Sequence, residues 1–207
     1  MVSKYSINHR AFVILGLVNE KMHEGGCHPY DINKRIEERG MRDWTNIGVD
    51  FSLSTIYRKL ELLEKKELVE NFEEEIDGRV RKNYRITPYG YEILRAKVYE
   101  VLYNYIGKKD EDFYVAFSMF PILIPEEQIE VFTHSLEAII NHKKELEKML
   151  NDMQMNFPKM TINVTGLFSH PIKILEADME FFQRVLENIK NNQNQFGLDS
   201  YEEKKAE

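Results

Sequence analysis

One cysteine, Cys27, stands in 207 residues, so no disulfide can form within the chain and its stability has to come from burial and hydrogen bonding. That composition fits a reducing cytoplasm. No uninterrupted run approaches the roughly 20 apolar residues that cross a bilayer, which argues against a membrane protein. The opening segment Met1-Val2-Ser3-Lys4-Tyr5-Ser6 leads into a mixed polar helix and lacks the clean apolar core of a signal peptide. Also missing are a Gly-rich phosphate loop, a Cys–His pair at a recognisable spacing and an isolated carboxylate pair in an apolar setting. Without them neither an enzyme nor a bound cofactor is expected. What remains is 43% hydrophobic, enough for one ordinary core or two small ones.

Positive charge is short as well. The formal net charge is −7, which at first sight opposes a polyanionic partner because phosphate binding draws on Lys and Arg. Position resolves the conflict. Residues 1–95 hold 16 Lys plus Arg against 16 Asp plus Glu, whereas residues 96–207 hold 12 against 19. All the excess acidity lies in the second half, and a neutral first half can still bind DNA if its bases gather on one face. Affinity per protomer would be modest, and a dimer reading two half-sites would compensate.

The bases do gather. Ile56, Leu60 and Leu63 recur at spacings of four and three and share one buried stripe of a helix, with Ser52 expected to cap its first turn. Thr55, Arg58, Lys59 and Leu62 fall on the opposite face, short, polar and cationic as major-groove contact requires. Alone, such a face also suits a solvated surface helix. The ribbon behind it is more specific. Leu68-Val69 opens a strand, Asp77-Gly78 supplies a tight turn, and Arg79-Val80-Arg81-Lys82-Asn83-Tyr84-Arg85-Ile86 runs back. Alternation puts Arg79, Arg81, Asn83 and Arg85 on one side and Val80, Lys82, Tyr84 and Ile86 on the other. Edge strands carry charge simply to resist pairing with other sheets, yet here Glu70, Glu73, Glu74 and Glu75 precede the turn and the bases follow it. Cross-strand pairing accounts for part of this, at no more than about 1 kcal/mol per pair. Arg79, Arg81 and Lys82 are left to reach a phosphate backbone or a minor groove.

Ahead of this segment, Phe12, Val13, Leu15, Leu17 and Val18 make His9 to Met22 a helix buried on most sides. Pro29 suits the first turn of a second helix, through Ile32 and Ile36 to about Arg39, with Gly40 ending it. Helix, helix, recognition helix and hairpin, in that order, make a winged helix-turn-helix. Behind it the periodicity becomes heptad-like. Tyr91, Leu94, Val98, Val101 and Tyr105 mark a helix from Thr87-Pro88 to Gly107, followed by a short apolar stretch from Phe113 to Phe120. Ile129, Phe132, Leu136, Ile139, Lys143, Leu146, Leu150 and Met153 mark a long helix from Glu126 to Asn156, broken by Phe157-Pro158. Leu175, Met179, Phe182, Leu186 and Ile189 mark a last helix, roughly Ile172 to Gln193. The expected class is therefore mainly α (α+β), with a winged helix-turn-helix over residues 1–90 and an antiparallel helical domain over 91–207. The seams need cover in water. Packing within the chain and packing across a two-fold axis are both available.

Three strings of residues carry a family resemblance: Ser52-x-x-Thr55-Ile56-Tyr57, Leu60-x-x-Leu63-Glu64-x-x-x-Leu68-Val69, and Gly78-Arg79-x-Arg81-Lys82-x-Tyr84-Arg85-Ile86-Thr87-x-x-Gly90. In this order they resemble the PadR family of bacterial transcriptional regulators, and His28-x-Tyr30-Asp31-Ile32 is similar to that family's His-Gly-Tyr-Glu-Ile segment. Recognisable motifs cover residues 8–95. Pro29 stands where a Gly is usual, Ser54 replaces a Gly before Thr55, and Val80 replaces a common Pro of the wing. Residues Gly40 to Asp50 are longer than a typical turn at that place. The resemblance implies dimerisation through the C-terminal helices with the helix that starts near Thr87, and it allows phenolic or drug-like ligands.

The expectation is thus a homodimeric repressor that binds double-stranded DNA at a palindromic site. Ser54, Thr55, Tyr57, Arg58 and Lys59 would meet the groove and adjacent phosphates; Arg79, Arg81 and Lys82 would form the wing contacts; Lys34 and Tyr30 would add backbone contacts. Two readings stand for Tyr57, a phosphate-bonding hydroxyl or a core aromatic. The expected dimer contact comprises Leu94, Val98, Val101, Tyr105, Leu175, Met179, Phe182, Leu186 and Ile189. Tyr99, Tyr103, Tyr105, Phe113, Tyr114, Phe117, Phe120, Phe181 and Phe182 either line a pocket for a small aromatic effector or are plain core. His23-x-x-x-Cys27-His28, with His9 as a fourth ligand, has the makings of a zinc site, but helix-end histidines are commonly surface residues and no metal is expected. Glu126, Glu127 and Glu130 favour the positive end of a helix dipole and need no catalytic role. The rival from another class is a protein-interaction module that uses its winged helix for protein contacts.

Overall fold

The computed structural model describes residues 7–22, 25–44, 51–76, 78–108 and 110–191. Its chain divides into two compact units, one running to Val98 and taking in Asp110–Met119, the other formed by Tyr99–Lys109 and the chain from Phe120 onward. The first unit thus extends past residue 90 and recruits a helix from further along the sequence.

In the first unit, α1 (His9–Glu20) is buried at every position from Ala11 to Val18, so it is a central helix rather than a surface one. Asn8 caps it, accepting from the Ala11 amide at 3.0 Å. Gly16 leaves room on α1 for the Met119 thioether, which would collide with any Cβ there. Helix α2 (Pro29–Glu38) starts as expected at Pro29 and ends before Gly40, whose φ of 58° suits its place after the helix. At its start, His28 Nδ1 accepts from the Tyr30 amide at 3.1 Å, and the Asp31 carboxylate accepts from the His28 amide at 3.3 Å. A four-residue helix, α3 (Met41–Trp44), follows in the segment that the sequence left as a long connection.

Helix α4 (Leu53–Lys65) buries Ile56, Leu60 and Leu63, the stripe that the spacing predicts, at about 1.5–3 kcal/mol each. It leads into β1 (Val69–Ile76) and β2 (Arg79–Ile86), an antiparallel hairpin paired from Val69↔Ile86 at the base to Ile76↔Arg79 at the tip. Gly78 in the turn has a φ of 73°. Cys27 adds a backbone bridge to β2 that the sequence did not reveal: its amide donates to Tyr84 O at 2.8 Å and its carbonyl accepts from Tyr84 N at 2.9 Å. Helix α5 (Pro88–Tyr103) begins at Thr87, whose hydroxyl accepts from the Gly90 amide at 2.9 Å and donates to the Glu67 carbonyl at 2.6 Å. Helix α6 (Glu111–Ser118) packs on α1, where Asp112 accepts from His9 Nδ1 at 2.7 Å and pairs with Lys97 at 3.2 Å.

The second unit is helical. Helix α7 (Pro125–Asn156) and helix α8 (Ile162–Lys190) pack side by side, and the pairs Phe132–Phe182 and Lys143–Glu176 show them to be antiparallel. Side chains of α7 finish the end of α5: Ser135 donates to the Leu102 carbonyl, and His134 and His142 meet the carbonyls of Tyr103 and Ile106 at 2.7 and 3.1 Å. Helix α8 departs from expectation. It starts at Ile162, ten residues before Ile172, and runs through Pro171, which removes one hydrogen bond without ending the helix. Between Ile140 and Pro171 no residue is buried, so the ends of α7 and α8 nearest their connection form a two-helix arm. No helix among the described residues is long and apolar enough to cross a membrane.

Candidate nucleic-acid interface

Helix α4 and the hairpin position the expected contact residues. On α4, Ser54 and Arg58 are exposed, Tyr57 and Lys59 half-buried, and Leu62 exposed. Thr55 differs from expectation. It is buried, on the edge of the Ile56 stripe, with its hydroxyl 3.3 Å from Ser52 Oγ. Ser52 occupies the cap position with extended backbone, yet its hydroxyl makes no bond to a first-turn amide; it meets Ser54 Oγ at 2.8 Å instead. The Ser52 hydroxyl is taken up by the neighbouring hydroxyls of Ser54 and Thr55 in place of a first-turn amide. The Tyr57 ring stands edge-on to His28, 6.5 Å between centroids, so the side chain is anchored at the start of α2 while part of it remains accessible. On α2, Tyr30 is 59% exposed and Lys34 pairs with Glu38 at 3.5 Å across one turn.

The tip of the hairpin matches the expectation more closely. Arg79, Val80 and Arg81 are exposed, and among the described residues neither arginine forms an ion pair although Glu74 stands opposite Arg81 in the ladder. Glu74 instead accepts from Asn83 Nδ2 at 2.6 Å, which lets Asn83 be buried. Nearer the base, Arg85 pairs with Glu70 at 2.6 Å and lies over the Phe72 ring. Lys82 is the exception among the expected wing cations. It bonds Glu64 of α4 at 3.5 Å and sits 5.2 Å from the Tyr84 ring centroid. A hydrogen bond with the Tyr84 hydroxyl, opposed by partial burial and reinforced by the charge of Glu64, holds its ammonium above the usual lysine range. The alternation carried this signal: Lys82 shares its side of β2 with Tyr84 and Ile86, both buried, so that side faces the helix.

Sequence reasoning gave no role to Glu64 and Asn71. Asn71 Nδ2 donates to the same Glu64 carboxylate that Lys82 bonds, so both strands are tied to α4 through one side chain. His23 lies outside the described residues; among those described, no group of His, Cys, Asp and Glu is placed to hold a metal ion, and Cys27 is buried with its thiol 3.6 Å from the His28 carbonyl.

The expected dimer contact is largely taken up within the chain. Leu94, Val98, Val101, Leu175, Phe182, Leu186 and Ile189 are buried in the single chain, with Tyr105 and Met179 half-buried. The aromatic groups pack on one another in the same way: Phe113 against Tyr114 and Phe117 in the first unit, and Phe120, Phe132, Phe182, Phe181 and Tyr105 in contact in the second. A second group stacks Tyr99 on Tyr103 and Tyr103 on His134, at 5.5 and 3.7 Å between centroids.

Helices α1, α2 and α4 with the hairpin define a winged helix-turn-helix. Residues 14–96 match the model of the Transcriptional regulator PadR-like family. Among solved structures, Bacillus subtilis PadR in complex with operator DNA is 17% identical over 88% of this chain and 99% of its own, with a TM-score of 0.39. The same protein in complex with p-coumaric acid is 16% identical over 88% and 99%, with a TM-score of 0.34. A PadR-like transcriptional regulator from Bacillus cereus is 19% identical over 88% and 98%, with a TM-score of 0.36. No curated protein matches the chain.

Proposed function

We propose that this chain is a PadR-like transcriptional regulator of the cytoplasm, a repressor that binds a palindromic operator as a homodimer and occludes a promoter. The observation that carries the reading is the exposed pair Arg79 and Arg81 at the tip of a hairpin tied to α4, whose accessible residues are Ser54, Tyr57, Arg58 and Lys59. Helix residues enter the major groove while the arginines reach the backbone or the neighbouring minor groove. Tyr30 and Lys34 add backbone contacts, and Lys82 serves the wing through its bond to Glu64. The match of residues 14–96 to the family model supports the assignment. The DNA reader is built on residues 1–90 and completed by the rest of the first compact unit, and the second unit serves dimerisation and response to a small aromatic or apolar effector.

The two-fold contact forms on the arm. From Met160 to Ile172 the sequence has no Asp, Glu, Lys or Arg, in a chain that is 30% charged. Ile162 and Leu167 on this stretch are 88% and 73% exposed, with Met155 and Phe157 beside them in sequence at 82% and 63%. Such a patch calls for a partner, and an identical arm supplies one of matching character.

The test is fluorescence anisotropy on DNA from upstream of the protein's own gene. Wild type gives salt-sensitive, sequence-dependent binding. Arg79→Ala with Arg81→Ala weakens binding to every duplex and lowers the slope of log affinity against log salt by about 0.9 per lost phosphate contact. Small aromatic acids titrated into the complex release the DNA if the effector part of the reading holds. An absence of binding at low salt would favour the protein-interaction rival, which the neutral charge balance of residues 1–95 supports.

A further inference from the structure

Glu64 sits near the end of α4, 30% exposed, where both strands of the hairpin reach it. Asn71 on β1 and Lys82 on β2 donate to its two carboxylate oxygens. Lys82 in turn covers the ring of Tyr84, which is fully buried and whose backbone bonds Cys27 just ahead of α2. A continuous set of contacts thus links the recognition helix, the hairpin and the approach to α2.

The leverage at this point is large. A strand of eight residues rises roughly 27 Å, and an isolated two-stranded ribbon twists and bends readily. A swing of about 10° at its base moves a tip some 20 Å away by roughly 3.5 Å, more than the length of a hydrogen bond. Contacts of Arg79 and Arg81 are lost at that displacement even though nothing in the arginines has changed.

We infer that Glu64 is a positioning residue: by holding Asn71 and Lys82 it fixes the angle of the hairpin against α4, so that the tip arginines and the helix face meet one duplex together. This rests on the DNA-binding reading and deepens it. The alternative role for an acid beside a DNA site has the opposite sign, since a carboxylate that merely repels phosphates weakens binding to all DNA and its removal strengthens it.

Full-length wild type, Glu64→Ala, Glu64→Gln and Asn71→Ala are compared by anisotropy on the upstream DNA and on an unrelated duplex of equal length. Amide exchange of residues 79–83 is followed in the free proteins. Glu64→Ala is expected to lower the ratio of specific to non-specific affinity about tenfold, the effect of one mis-set base contact, and to speed exchange in the hairpin. Glu64→Gln, which keeps the size but only one of the two acceptor oxygens, holds one strand and recovers part of the ratio. Asn71→Ala acts in the same direction as Glu64→Ala, and it decides the matter from the hairpin side if Glu64→Ala does not fold. Equal strengthening on both duplexes by Glu64→Ala and Glu64→Gln, or no change in ratio and exchange, overturns the inference while the DNA reading stands. A wild type that does not distinguish the two duplexes overturns the reading itself, and the inference with it.

Discussion

At the scale of single residues, the motif Thr87-x-x-Gly90 has a mechanical explanation. Thr87 bridges the Gly90 amide to the Glu67 carbonyl, while its own amide donates to Leu68 O at 3.1 Å. That brings the Leu68 carbonyl onto Gly90, where an added Cβ would strike backbone atoms rather than a side chain that could swing away. Gly90→Ala should therefore cost about 3 kcal/mol or more in urea unfolding, at the upper end of overpacking effects. A cost below 1 kcal/mol would mean that the start of α5 can shift. Asp112 offers a second case. Burial pushes its carboxyl up, but the hydrogen bond from His9 and the charge of Lys97 outweigh burial and hold it below the usual carboxylate range. A lowered folded value means that its contribution is complete above that range and is lost as pH falls through the folded value. Asp112→Asn should cost about 1.5–3 kcal/mol near neutrality, and the gap from wild type should close in acid. A gap independent of pH would assign the loss to packing instead.

Among the elements, those with strong internal periodicity were legible and those that depend on distant partners were not. Ile56, Leu60 and Leu63 announce α4, and Asp77-Gly78 between alternating strands announces the hairpin. By contrast, α3 is four residues long and carries no repeat, and the Cys27–Tyr84 bridge is a backbone pairing that side-chain patterns do not record. Pro171 would suit a helix start, where its missing N–H costs nothing, yet α8 runs through it from Ile162. Apolar spacing also identifies a stripe without saying what covers it. Leu175, Phe182, Leu186 and Ile189 are covered within the chain, and the most exposed apolar residues of α8 are Ile162 and Leu167, on the part that the spacing does not assign to a helix. Of the residues named for the candidate site, the tip arginines and Arg58 are exposed as their strand and helix positions imply, whereas Thr55 is buried beside the Ile56 stripe and Lys82 bonds a carboxylate distant in sequence, a partner that spacing does not reveal. For the arm, if the proposed dimer forms there, Ile162→Glu with Leu167→Glu should leave helix content unchanged and give monomers in sedimentation velocity at a micromolar concentration where wild type is dimeric. An unaltered dimer would move the two-fold contact elsewhere.

For the whole molecule, the two compact units are not consecutive pieces of sequence. The chain leaves the first unit after Val98, returns for Asp110–Met119, and leaves again. On that return visit α6 brings Asp112 to His9 and Lys97, and Met119 to the bare backbone of Gly16. A gene truncation ending anywhere from residue 99 to 109 would deprive the first unit of one of its own helices. The central helix would be left with an open slot at Gly16, and His9 and Lys97 would be deprived of their shared anion. A gene fragment ending at the natural-looking boundary after α5 would consequently encode an incomplete first unit, and a fragment has to reach Met119 to supply every piece that this unit contains.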